Sequence, residues 1–161
     1  MRLATIINAV HYSKDGDILW QATNLPNTLH TQGQQYMLET LFTGLAIPQV
    51  YYVGLDNRSV INQADILASI TSEPTGNGYQ RYALNSQTGF TPNFNLANWT
   101  VVSNTLLFTA VGGSWGPVKN AFLTTASSTQ GFLISSLPLS SAITVNNGET
   151  FSFQLVLGLG G

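Results

Sequence analysis

After the run Asn146-Asn147-Gly148-Glu149, large apolar residues fall on every second position: Phe151, Phe153, Leu155, Leu157 and Leu159. A period of two places all five on one face of an extended strand, so residues 150–159 predict a long strand packed against a core. The Asn-Gly pair ahead of it tolerates the positive φ angles of a tight hairpin, which makes residues 142–145 the preceding strand.

The same texture runs through the rest of the chain. Residues 50–55, 79–84, 98–102, 104–110, 118–124 and 132–137 read as short strands. Loop-forming runs separate them at Glu73-Pro74-Thr75-Gly76-Asn77-Gly78 and Gly112-Gly113-Ser114-Trp115-Gly116-Pro117. Residues 56–70 are ambiguous, with a helical turn possible over 64–70. One segment has a helical period: Tyr36, Met37, Leu38, Leu41, Phe42 and Leu45 recur at three- and four-residue spacing. Thr31 suits its N-cap and Gly44 its C-terminal stop, and the apolar side is expected to dock on the core. Residues 3–12 and 18–20 flank an Asp15-Gly16 turn, and Asn24-Leu25-Pro26-Asn27 breaks the pattern. The expected architecture is mostly β: an antiparallel β-sandwich or jelly roll with one short amphipathic helix and an extended N-terminal arm. Residues 1–30 form the arm or a strand pair, and residues 31–161 form the sandwich domain, with the helix at about 31–43.

Charge sets the surface. Asp, Glu, Lys and Arg make up 7% of the 161 residues, where roughly 25% is usual. Asn, Gln, Ser and Thr supply the polarity instead, and such groups are covered by a protein partner at lower desolvation cost than ions. A net charge of −2 with no basic cluster disfavours direct nucleic-acid binding. No apolar run approaches the ~20 residues of a membrane span. The first ten residues lack the long apolar stretch and small-residue site of a secretory leader, so none is expected. Without cysteine there is no disulfide, thiolate metal site or Cys nucleophile.

Little points to catalysis. His11 and His30 both fall in the first thirty residues, no Gly-x-Ser-x-Gly elbow is present, and the seven acids are scattered. Asp15-x-Asp17 lacks the later ligands of a calcium loop, and the Gly112 run lacks the ending of a phosphate loop. No catalytic residue, metal or cofactor is assigned. Trp20, Trp99 and Trp115, with six tyrosines, leave a carbohydrate-binding module as a third reading, with Trp99 or Trp115 on loops; core packing accounts for most of these rings.

The order of segments resembles small tailed-bacteriophage virion structural proteins. The stretches concerned are residues 19–25, 33–42, 48–55, 73–81, 118–124, 131–134 and 145–153, which together span most of the chain after residue 18. The resemblance is to head decoration (cement) proteins first and to tail, baseplate or fibre components second. It implies a β-sandwich body with a docking arm and no enzymatic activity. The implied partners are the major capsid protein or other virion proteins, in a homotrimer or other homo-oligomer. The implied location is the virion, on the capsid surface ahead of the tail, after synthesis in the host cytoplasm. An arm of this kind adds a strand to a neighbour's exposed edge. Its candidate partner-contact residues are Leu3, Ile6, Ile7, Tyr12 and Trp20.

Overall fold

The computed structural model describes residues 2–95 and 98–160, with side chains described for 8–94 and 99–158. Among them are twelve strands: β1 (Arg2–Tyr12), β2 (Ile18–Ala22), β3 (Leu25–Pro26), β4 (Thr28–Leu29), β5 (Val50–Asp56), β6 (Tyr82–Asn85), β7 (Phe90–Asn95), β8 (Asn98–Ser103), β9 (Leu106–Thr109), β10 (Trp115–Thr124), β11 (Leu133–Val145) and β12 (Thr150–Gly160). One helix, α1 (Thr31–Leu38), continues as a π-helical turn over Glu39–Thr43, and a 3-10 turn covers Leu67–Ser69. The strands form two antiparallel sheets, ordered β2-β1-β12-β8-β7 (with β3 on β1 and β9 on β12) and β4-β11-β10-β5-β6. The chain is an antiparallel β-sandwich. Among the described residues no helix is long and apolar enough to cross a membrane.

β12 organises the larger sheet, taking β1 along one side and β9, then β8, along the other. Its period of two has the predicted consequence: Phe151, Phe153 and Leu155 are buried in the main core. Leu157 is only half-buried, and the side chain of Leu159 lies outside the described residues. Phe153 stacks on Phe108 of β9 at 5.8 Å, so the alternation of one strand is completed by its neighbour.

Residues 2–22 form the β1–β2 strand pair, with His11 opposite both Phe151 of β12 and Trp20 of β2. The following segment, read from sequence as a break, steps from one sheet to the other. Leu25 pairs with Ile6 of β1, while Leu29 pairs with Ser135 of β11, and both leucines are buried between the sheets. Two-residue ladders are enough here because a buried crossing must still pair its backbone N–H and C=O groups. Three further differences are local. β7 lies in a stretch with no strand pattern, β10 begins at Trp115 inside the expected turn, and β11 is one long strand instead of two. β11 joins them by slipping register against β10 between the Val118–Ile143 and Asn120–Pro138 pairs.

A small second core covers the outer face of the five-stranded sheet, where Ile61, Leu67 and Ile70 pack on Phe122 and Leu133. Ion pairs stitch the same region: Arg58 bonds Asp56 at 3.0 Å and reaches Asp65, while Arg81 pairs with Glu73 and lies over the Phe122 ring. With Glu149, which bonds His11, six of the twelve charged residues are used internally. The solvent-facing skin is therefore poorer in ions than the composition already implies.

Candidate interaction surface

The helix is fixed to the sandwich at its first turn. His30, fully buried, bonds Ser136 Oγ through Nε2 at 2.8 Å and the Gln63 carbonyl through Nδ1 at 3.2 Å. Burial outweighs those contacts and lowers the His30 pKa from its usual value, which favours the neutral ring. His30, not Thr31, occupies the N-cap position, and its side chain is committed to the sheet instead of capping the helix. The Gln32 amide oxygen accepts from Leu67 N–H at 2.9 Å and Leu133 N–H at 2.6 Å, and its nitrogen donates to the Gly131 carbonyl. Directly after it, Gly33 lies so close to β11 that a Cβ there would fall 2.2 Å from the Ile134 carbonyl oxygen. The π-helical turn ends at Gly44, whose φ of 80° suits the expected stop.

This anchoring decides which face of the helix is covered. The pattern of Tyr36, Met37, Leu38, Leu41, Phe42 and Leu45 anticipates one docked apolar side. Instead Tyr36 is buried, Met37 and Leu45 are half-buried, and Leu38, Leu41 and Phe42 stand in water, the last two 66% and 78% exposed. Leu38, Leu41 and Phe42, at three- and four-residue spacing, share a side of the helix turned away from Tyr36, while Leu45 farther along packs on the core, so that row has no partner among the described residues.

Beside the covered turns lies an apolar cleft of about 450 Å³. A chain of rings runs along it: Phe132 against Tyr36, Tyr36 edge-on to Tyr51, and Tyr51 edge-on to Phe90. The Tyr36 and Tyr51 hydroxyls share a hydrogen bond of 2.7 Å, and burial pushes the Tyr51 hydroxyl pKa upward. Trp99, 70% exposed, forms the opposite wall and packs against Phe94 at 5.0 Å. Cleft, helix edge and β7–β8 hairpin thus present apolar and aromatic side chains with few ions, the composition of an interface core. The recess suits an apolar side chain from a partner.

Neither histidine lines this cleft. His11 Nε2 lies 2.8 Å from Glu149 Oε2, where Asn146 N–H also donates at 2.8 Å, tying β1 to the β11–β12 turn. Desolvation raises the Glu149 pKa, but hydrogen bonds from Asn146 and His11 outweigh it and hold the carboxyl below its usual value. Among the described residues no three His, Asp or Glu side chains group as a metal site.

The sequence-predicted contact residues are spread along the β1–β2 pair. Tyr12 is half-buried, and the half-buried Trp20 ring lies 6.2 Å from that of Phe151. Leu3, Ile6 and Ile7 lie on β1, with their side chains outside the described residues. Ile18 and Leu19, not singled out from the sequence, are exposed apolar residues on that edge. Of the tryptophans considered for sugar binding, Trp99 is open to solvent on β8 whereas Trp115 is buried at the start of β10. The exposed helix edge was hidden in the sequence because its apolar spacing is that of a docked helix.

No curated protein sequence matches the chain. A family model described as Podophage GP4 fiber I protein gp80 matches residues 28–156, from β4 to within β12, and the chain belongs to that family of phage virion structural proteins.

Proposed function

We propose that this chain is a non-enzymatic fibre or tail building block that assembles with other virion proteins, including copies of itself, through the apolar helix edge and the adjoining cleft. The observation that carries this reading is the unpartnered row Leu38, Leu41 and Phe42, on the same helix whose Tyr36 and Met37 line an aromatic recess, in a chain whose charges are half consumed internally. Apolar area of that kind stabilises an assembly when a partner covers it. The family description, which names a fibre protein, supports a fibre over the head decoration role implied by the sequence resemblance. In this reading the β1–β2 edge, with Tyr12 and Trp20, is a second contact strip. Both histidines are held inside the fold by structural hydrogen bonds, which favours a role without catalysis.

The test is to locate a tagged copy on intact particles by electron microscopy. Label on fibres or tail is the expected result. Label over the head surface would replace this reading with decoration, and particles without label would end both.

A further inference from the structure

The sequence holds two Asn-Gly pairs, Asn77-Gly78 and Asn147-Gly148. A glycine after asparagine leaves its backbone nitrogen unshielded by a side chain, so that nitrogen reaches the asparagine Cγ and closes a succinimide ring. Both pairs are exposed, and both are hydrogen-bonded to the turn of residues 110–114 that joins β9 to β10. The fold nevertheless treats them differently. At the second pair, Gly148 N–H donates to the Ala110 carbonyl at 2.8 Å, and Asn147 Oδ1 accepts from Gly112 N–H at 2.8 Å. The attacking nitrogen and the amide under attack are both held. At the first pair, Gly78 N–H has no acceptor among the described residues, and only the amide is held, with Asn77 Nδ2 donating to the Ser114 carbonyl at 2.8 Å.

The turn itself calls for this reactive pair. Asn77 has a φ of 49° and Gly78 one of 81°, successive left-handed conformations that few other residues accept. The amide at risk is also a structural tie. Its bond to Ser114, with the Val111 N–H donating to the Asn77 carbonyl at 2.8 Å, fastens the loop before β6 to the β9–β10 turn. The approach is close: a Cβ on Gly113 would fall 2.8 Å from Asn77 Nδ2. Ser114 Oγ then donates to Asn146 Oδ1 at 3.2 Å, which carries the tie on to the β11–β12 turn.

We propose that Asn77 is a site of spontaneous deamidation, a slow one-way modification that unties this end of the sandwich. The Gly78 nitrogen loses its proton to solvent and attacks Asn77 Cγ. As the new C–N bond forms, the Cγ–Nδ2 bond breaks, and the amide takes up a proton and leaves as ammonia. Water then opens the ring at either carbonyl, giving aspartate or isoaspartate, with nothing oxidised or reduced. In either product the Ser114 carbonyl loses its donor, and a negative charge adjoins a turn, Ala110 to Ser114, that carries none. A virion protein is not renewed after assembly, so the product accumulates as the particle ages.

The purified full chain is aged in mildly alkaline buffer, folded in one sample and unfolded in urea in another. Peptide mapping by mass spectrometry, with aspartate and isoaspartate separated by chromatography, follows both asparagines. In the folded chain Asn77 should react about fivefold faster than Asn147, the rate equivalent of the one additional hydrogen bond that restrains the second pair. In urea the two rates should converge, because the glycine that follows is the same. Asn77→Asp, which carries the product's charge from the start, should lower the urea midpoint of unfolding. Asn147 reacting as fast as Asn77 in the folded chain overturns the proposal, as does a folded chain whose Asn77 stays intact while the unfolded chain is fully converted. An Asn77→Asp chain with the wild-type midpoint overturns the untying.

Discussion

Replacing Leu41 and Phe42 together by glutamine separates docking from folding. Full burial of a leucine or phenylalanine side chain contributes about 1.5–3 kcal/mol. Leu41 is 66% and Phe42 78% exposed, so most of that contribution is unclaimed in the isolated chain. If a partner covers both, the pair supplies about 2–4 kcal/mol of association, a factor of about thirty to several hundred in affinity. The isolated chain loses almost nothing, because both side chains already face water and glutamine is as good a helix former as leucine. Its unfolding free energy should change by no more than about 0.5 kcal/mol. Urea denaturation measures the second quantity. Complementation of particles lacking the protein, with incorporated copies counted by mass spectrometry, measures the first. A variant of unchanged stability that enters particles at the wild-type level would refute docking by this face. A variant that unfolds more easily by well over 1 kcal/mol would show the residues packed at home.

Two further outcomes follow from the anchoring of the helix. Because burial lowers the His30 pKa, the unfolded chain takes up a proton before the folded one does; stability is complete above about pH 6.5 and declines as pH falls below it. His30→Gln should flatten that slope in denaturation curves compared between pH 8 and pH 5, and an unchanged slope would remove His30 as its source. Gly33→Ala should destabilise by about 2 kcal/mol, since the Ile134 backbone cannot yield to the new methyl. A gain of about 1 kcal/mol, the ordinary helix preference for alanine, would show that the close approach is relieved in solution.

Where regular spacing met a regular partner, the sequence was legible. The alternation from Phe151 to Leu155 described a core-facing strand, and the spacing between Thr31 and Gly44 delimited the helix and its π-helical continuation. β7 was not legible: Phe90, Pro92 and Phe94 alternate weakly, and the strand exists because β8 supplies the other half of its ladder. β3 and β4 were not legible either. A two-residue strand has no period, and only the gap between two sheets calls for one.

The candidate site divides along the same line. Apolar spacing on a helix states that faces exist; it does not state which of them a surface will cover. Leu38, Leu41 and Phe42 share one side of the helix by their three- and four-residue spacing, but the sandwich takes the side of Tyr36 and leaves theirs in water. Trp99 and Trp115 likewise carry the same side chain, yet one wall of the fold closes over the second and none over the first. Composition and periodicity by themselves determined an antiparallel β-sandwich, the position of its helix and a surface short of ions, because those properties are local or additive. Tertiary structure alone decided which apolar residues remain uncovered and which charges are spent inside, because burial is a relation between segments distant in the chain.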